Sequence, residues 1–281
     1  MIDLHIHSTF SDGSCTPAKL VEMADEQNLE AIALTDHDSV EGIPEFLSAH
    51  PECGVKRIAG VELSAEFSPG TMHILGYCID PHSEPLLSKL NWIKSRRSSR
   101  NGEIVEKLNA IGLPLTWDEV AEYAGSDIVG RPHFAQAMIA RGYCRDKQDA
   151  FDRYLAKGKK AYIDRKRLSP QSCISLIRSA GGVAVLAHPV TLKLSHSKLL
   201  RTVGELCEMG LGGIECYYSQ YSHADTAKMK SIADKFSLIM TGGSDFHGEG
   251  SPAIKLGRGF GKLHVPPCPE LTGRTAFKNY H

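Results

Sequence analysis

A chain of 281 residues, with a formal net charge of −1 and 42% hydrophobic residues, is sized for one large α/β barrel or for a core domain plus an insertion. The balanced charge excludes a protein that coats a nucleic-acid duplex by bulk attraction, so any nucleic-acid contact is expected to be local. No apolar run approaches the length of a membrane-spanning helix, no obligate protein partner is indicated, and the first strand begins at residue 2, leaving no room for a signal peptide. The eight cysteines include no Cys-x-x-Cys pair; they read as small core residues of a cytoplasmic protein, not as a disulfide or structural-zinc framework.

Ile2, Leu4 and Ile6 alternate with Asp3, His5 and His7. Such alternation predicts a strand with both histidines on one face and the aliphatic residues on the other. Thr16-Pro17 signals a helix start. A strand over 30–36 ends in Asp36-His37-Asp38, and Ser39 opens a second helix. Strands follow over 57–63, which contains Glu62, and over 72–79, with His73 near its beginning. Between 83 and 165 the strand pattern gives way to helical segments over 89–108, 117–123, 131–141 and 147–156, read as an insertion into a barrel formed by 1–82 and 166–281. The α/β alternation then resumes: a helix to Ser179 capped by Ser169-Pro170, a strand over 182–188 ending in His188, a helix over 197–209, a strand over 213–217, a helix over 223–236 and a strand over 238–241. The last strand runs into Gly242-Gly243-Ser244-Asp245-Phe246-His247. Strands alternating with helices imply parallel strands, and this many units favour a closed or nearly closed barrel.

In such a barrel the carboxyl ends of the strands share one mouth. His5, His7, Asp12, His37, Glu62, His188, Asp245 and His247 sit at or just past strand ends, and His73 must reach the same region from an adjoining strand. Nine nitrogen and oxygen donors without a thiolate suit Mn²⁺, Fe²⁺ or Zn²⁺. With roughly four to six positions around each ion, nine ligands imply two or three divalent ions, with Glu62 as the natural bridging carboxylate. Ions about 3.5–4 Å apart activate water and clamp both oxygens of an in-line displacement, which is phosphoester chemistry.

The combination His5-Ile6-His7, Asp12-Gly13-Ser14, Thr35-Asp36-His37-Asp38, Val61-Glu62-Leu63-Ser64, His73, Ala187-His188-Pro189 and Ser244-Asp245-Phe246-His247 resembles the PHP (polymerase and histidinol phosphatase) family, in the family's order. The resemblance implies a distorted (β/α)7 barrel and a trinuclear site. His5, His7, Glu62 and Asp245 would hold one ion, Glu62, His73 and His188 a second, and Asp12, His37 and His247 a third. Gly130-Arg131-Pro132-His133, followed by Lys157-Gly158-Lys159-Lys160-Ala161-Tyr162, is similar to the stand-alone bacterial members of the TrpH/YciV group. This likeness implies a metal-dependent phosphoesterase acting on a nucleotide, such as a nucleoside 3',5'-bisphosphate, or on short 5'-phosphorylated RNA. A metal-bridging hydroxide would attack phosphorus while Arg131 and His133 grip the phosphate.

The alternatives are a histidinol-phosphate phosphatase, against which the Gly-Arg-Pro-His insertion argues, and a non-catalytic metal-bound module, which the full set of nine ligands disfavours. Asp36 and Asp38 flank His37 and are candidates to orient it or to accept a proton. Lys159, Lys160, Arg165 and Lys166 form a basic stretch in which Lys160 and Arg165 are candidates to line the nucleotide cleft, although a charge run is usually a solvated face. Tyr217 and Tyr218 are read as either base-stacking or core residues.

Overall fold

The apolar alternation at the N-terminus forms strand β1 (Ile2–Ile6), buried along its whole length. The computed structural model describes residues 1–123, 129–164, 167–248 and 253–274. It continues through α1 (Pro17–Glu26), β2 (Ala31–Leu34), α2 (Ile43–Ser48), β3 (Lys56–Ala65) and β4 (Met72–Tyr77). Next come α3 (Glu84–Ala110), α4 (Trp117–Ala121), α5 (Arg131–Ala140), α6 (Lys147–Ala150) and a π-helical turn at Phe151–Leu155. The remaining elements are α7 (Pro170–Ser179), β5 (Val183–Leu186), a 3-10 turn (Pro189–Leu192), α8 (His196–Glu208), β6 (Gly213–Tyr218), α9 (His223–Phe236), β7 (Ile239–Gly243) and α10 (Pro269–Thr272). The expected caps form: the Thr16 and Ser169 hydroxyls accept the Lys19 and Ser172 N–H groups, each ahead of a proline in the first turn. The helix expected over 147–156 splits into α6 and the π-helical turn.

Among the described residues, seven strands lie in the order β1 to β7. β1, β2 and β3 are parallel, as are β5, β6 and β7, but β4 runs antiparallel to both of its neighbours. The expectation of uniformly parallel strands fails there for a topological reason. Only residues 66–71 connect β3 to β4, too few for a crossover helix, so the chain can only turn back. The reversal brings the beginning of β4, and with it His73, to the end of the barrel where the parallel strands terminate.

Ile2, Leu4, Ala31, Ala33, Ile58, Leu75, Tyr77, Val183, Val185 and Ala187 form one buried cluster, against which Tyr217 of β6 and Ile239 of β7 pack. A cluster fed by all seven strands is the interior of a nearly closed barrel. At the mouth, the His7 N–H donates to the Phe246 carbonyl (2.9 Å) and the Asp245 N–H to the His5 carbonyl (2.8 Å), joining β1 to the segment after β7.

Strict alternation along β1 does not hold. The register against β2 shifts between Asp3 and Ile6, so that Ile2 and Leu4 fill the barrel interior while His5 and His7 both enter the cluster at the mouth. An extra residue in a strand re-aims the side chains that follow it, which simple alternation could not anticipate.

The chain divides into two compact units, Met1–Lys89 with Arg167–His281, and Leu90–Lys166. The second unit is helical and has its own core, including Ile104, Leu108, Phe134, Met138 and Leu155. Among the described residues, no helix is long and apolar enough to cross a membrane.

Barrel closure leaves no room at Gly243, where an added Cβ would lie 2.4 Å from the backbone nitrogen and Cβ of His5. Gly243→Ala is therefore expected to force β1 and β7 apart and to destabilise the fold by about 1–3 kcal/mol, measured as a lowered urea midpoint. An unchanged midpoint would mean that the seam is loose.

Candidate metal centre

The barrel mouth gathers all nine expected side chains. Glu62, fully buried on β3, lies at the middle. Its Oε1 is 2.9 Å from His73 Nδ1 and 3.0 Å from His188 Nε2. Its Oε2 is 2.8 Å from His37 Nδ1 and 3.4 Å from the Nε2 atoms of both His5 and His7. Asp245 Oδ1 lies 3.1 Å from His7 Nε2 and 3.5 Å from His5 Nε2, and Asp12 Oδ1 lies 3.2 Å from His247 Nε2. Asp12, with a side chain 45% exposed, marks the solvent side.

Four overlapping groups have donor atoms within 4.8 Å of one another: His7 with Asp12, His37 and His247; His5 with His7 and Asp245; His5 with Glu62 and His188; and His37 with Glu62 and His73. His5, His7, His37 and Glu62 each belong to two groups, whereas the partition that the family resemblance implies shares only Glu62, so proximity alone does not reproduce it.

These residues fit divalent ions on a structural ground. His5 Nε2, both ring nitrogens of His7 and Glu62 Oε2 are buried with no hydrogen-bond partner. Several polar atoms orphaned together is a costly arrangement that ligation would relieve. The opposite ring nitrogens are tethered: His5 Nδ1 is 3.0 Å from Glu215 Oε1, His188 Nδ1 is 3.1 Å from Thr191 Oγ1, and His247 Nδ1 is 2.9 Å from the Asp245 carbonyl. Such tethers leave the Nε2 atoms for an ion.

Carboxylates at strand ends fix the loops that carry these groups. Asp3 accepts the Ser244 N–H (2.8 Å), the Ser244 hydroxyl (2.6 Å) and the Gly257 N–H (2.6 Å), tying β1 to the loop that carries Asp245 and His247. Asp36 accepts the Ser8 N–H (2.7 Å) and the hydroxyls of Ser8 (2.6 Å) and Ser11 (2.5 Å), holding the loop that leads to Asp12. Asp38 accepts the Ser64 N–H (3.0 Å). Both Asp36 oxygens thus accept from serines of the loop that follows β1.

Glu215, in the middle of β6, escaped the sequence reading. Its signal was an acid inside the otherwise apolar run Gly213-Ile214-Glu215-Cys216. Tyr218 is buried; its hydroxyl donates to Asp245 Oδ2 (2.9 Å), and its ring lies 5.3 Å from that of His188. Tyr217 packs against the barrel interior. Neither is an exposed stacking platform.

A family model for the PHP domain matches residues 3–164. The chain belongs to the PHP domain family. Across its length, the PHP protein is 32% identical to a 3',5'-nucleoside bisphosphate phosphatase of Chromobacterium violaceum, over 91% of this chain and 90% of the relative. It is 34% identical to the 5'-3' exoribonuclease Rnm of Salmonella typhimurium, over 97% of this chain and 92% of the relative. A solved Bifidobacterium adolescentis structure, assigned as a metal-dependent phosphoesterase, superposes with a TM-score of 0.78 at 32% identity, covering 94% of this chain and 92% of its own.

Three candidate substrate residues of this PHP protein, Arg131, His133 and Lys160, lie in its helical unit. Arg131 opens α5; it donates to the Leu155 carbonyl (3.1 Å), and its guanidinium sits 5.2 Å from the centre of the Tyr162 ring. His133 Nδ1 accepts the Gly130 N–H (3.1 Å), which makes Nε2 the N–H donor of the neutral ring. Lys160 is exposed, and Arg165 and Lys166 lie outside the described residues.

The carboxylates and imidazoles set one another's protonation. Burial works against ionisation of Glu62 and Asp245, but the surrounding histidines overcome it and hold both carboxyls well below the usual range. Burial likewise opposes a charged His37, yet Glu62 and Asp12 push it up to about 10. His7 is driven down to about 3 by burial and by His247 and His37. At pH 7, His37 therefore carries a proton that an incoming ion must displace, whereas His7 carries none. Metal uptake should release protons, and the His37 contribution alone should strengthen apparent affinity about tenfold per pH unit between pH 7 and 10. Calorimetry in buffers of different ionisation enthalpy reads the proton count, and a pH-independent affinity would contradict this electrostatic picture.

Proposed function

We propose that this PHP protein is a metal-dependent phosphoesterase that removes phosphate from a nucleotide, such as a nucleoside 3',5'-bisphosphate, or trims short 5'-phosphorylated RNA. The observation that carries the reading is the convergence of nine imidazole and carboxylate side chains on one barrel mouth, with buried donor atoms left unpaired. The choice of a nucleotide substrate is supported by the named activities of the Chromobacterium and Salmonella relatives.

The proposed ligands are His5, His7, Asp12, His37, Glu62, His73, His188, Asp245 and His247, holding two or three ions of the Mn²⁺, Fe²⁺ or Zn²⁺ class. Bound there, such ions supply a water of lowered pKa and positive charge facing the phosphate oxygens. The protein's own groups do the rest. Glu62 offers its two oxygens to different sets of imidazoles and is suited to bridge. Tyr218 holds Asp245 Oδ2, so that Oδ1 faces His5 and His7. Arg131 is proposed to bind substrate phosphate, for which a guanidinium is a bidentate partner, and His133 to donate from Nε2.

The test is a substrate panel with chelator-stripped protein, with and without Mn²⁺. Metal-dependent turnover of a 3',5'-bisphosphate nucleotide or a short 5'-phosphorylated RNA, and none of histidinol phosphate, is expected; inertness toward both nucleotide classes would overturn the reading. His188→Ala and Asp245→Ala should each lower kcat/KM at least about a hundredfold, roughly 3 kcal/mol, with circular dichroism unchanged. Arg131→Ala should raise KM about 10–100-fold through loss of a charged hydrogen bond of about 1.5–3 kcal/mol, and unchanged kinetics on every phosphate substrate would remove that role.

A further inference from the structure

We infer that Glu215 is a positioning residue for the ion cage: it fixes His5 in the tautomer whose Nε2 carries the lone pair, and it anchors the backbone of His188. The inference rests on the proposed metal reading of the site and goes beyond it. Glu215 is not a member of the groups whose donor atoms come within 4.8 Å of one another, so it is not put forward as a ligand.

Glu215 is fully buried, and its two oxygens serve two different ligand-bearing strands. Oε1 is 3.0 Å from His5 Nδ1 on β1, and Oε2 accepts the backbone N–H of His188, just past β5, at 2.7 Å. With Oε2 accepting the His188 N–H, Oε1 is placed to accept from His5 Nδ1, and in the neutral ring the lone pair then falls on Nε2. That atom faces Glu62 Oε2 at 3.4 Å and Asp245 Oδ1 at 3.5 Å and has no hydrogen-bond partner.

The second contact meets a backbone constraint. His188 sits at φ 26°, ψ 65°, a conformation that residues with a side chain seldom adopt. A charge-assisted hydrogen bond to its N–H offsets that strain and keeps the His188 Nε2 aimed at Glu62, 3.0 Å away. One carboxylate on β6 thus sets the ring state of one ligand and the backbone of another.

Glu215→Gln separates this role from simple space filling, because the two side chains have nearly the same shape. An amide has one accepting oxygen. If that oxygen keeps the His188 N–H, the amide NH₂ faces His5 and selects the ring with its proton on Nε2, where it blocks ligation. Full-length wild-type and E215Q proteins, stripped with chelator, would be titrated with Mn²⁺ while free ion is followed by electron paramagnetic resonance.

The expected result is a Kd raised about 10–100-fold in E215Q, with turnover of a nucleoside 3',5'-bisphosphate recovering at saturating Mn²⁺. A folded E215Q that binds Mn²⁺ like wild type overturns the inference, as does lost turnover that saturating Mn²⁺ does not restore. Nitrogen-15 spectra of the Zn²⁺-loaded wild type provide a second readout that does not depend on how the variant folds: a His5 proton on Nδ1 is required, and one on Nε2 overturns the role. Wild-type protein that takes up neither ion would instead remove the metal reading beneath it.

Discussion

A carboxylate with no solvent exposure, ringed by imidazoles, is the constraint around which this barrel is arranged. Glu62 is fully buried, and an ionised group in that position is tolerable only with positive charge or strong donors around it. His5, His7, His37, His73 and His188 arrive from strands on both sides of β3 and come within 2.8–3.4 Å of its oxygens. The same field that keeps Glu62 and Asp245 ionised would attract divalent cations, and the protons on the surrounding rings would be the competitors that those cations displace.

Holding so many ligands in register requires loops that do not move, and buried polar ties supply the stiffness. Asp3 links β1 to the segment after β7, Asp36 links the end of β2 to the loop after β1, and Asp38 links that same end to β3. Each tie bridges neighbouring strands just below the ligands that it serves. The backbone is strained at the same level: Asp38, His188 and Asp245 all have positive φ without being glycine. Strain of this kind persists only where surrounding bonds over-determine the conformation, which these carboxylates do.

The antiparallel strand solves a packing problem for the site. A strand parallel to the others would send the beginning of β4 to the far end of the barrel. Because the short connection turns the chain back, the first turn of β4 pairs with the last turn of β3, Ser64 opposite His73 and Glu62 opposite Leu75. His73 therefore reaches Glu62 diagonally from the neighbouring strand, two residues from the position opposite it. The next strand resumes the parallel direction, and the α/β alternation continues undisturbed.

The local signals in the sequence determined most of the elements and named the nine side chains that gather at the barrel mouth. Caps such as Thr16-Pro17 and Ser169-Pro170, and acids and histidines placed where apolar runs end, act over a few residues and are visible without a fold. Three features were decided only in three dimensions. The register shift in β1 brought His5 and His7 into the cluster beside an interior that already contained Leu4, which alternation cannot express. The pairing of Asp36 with Ser8 and Ser11 depends on which loops become neighbours after the sheet forms. Glu215 looked like one acid in an apolar strand until the closed barrel brought His5 of β1 and the His188 backbone after β5 to its two oxygens. The residue types that could do the chemistry were fixed locally, whereas tautomer, aim and support depend on contacts between segments as much as 254 residues apart, which exist only once the barrel has closed.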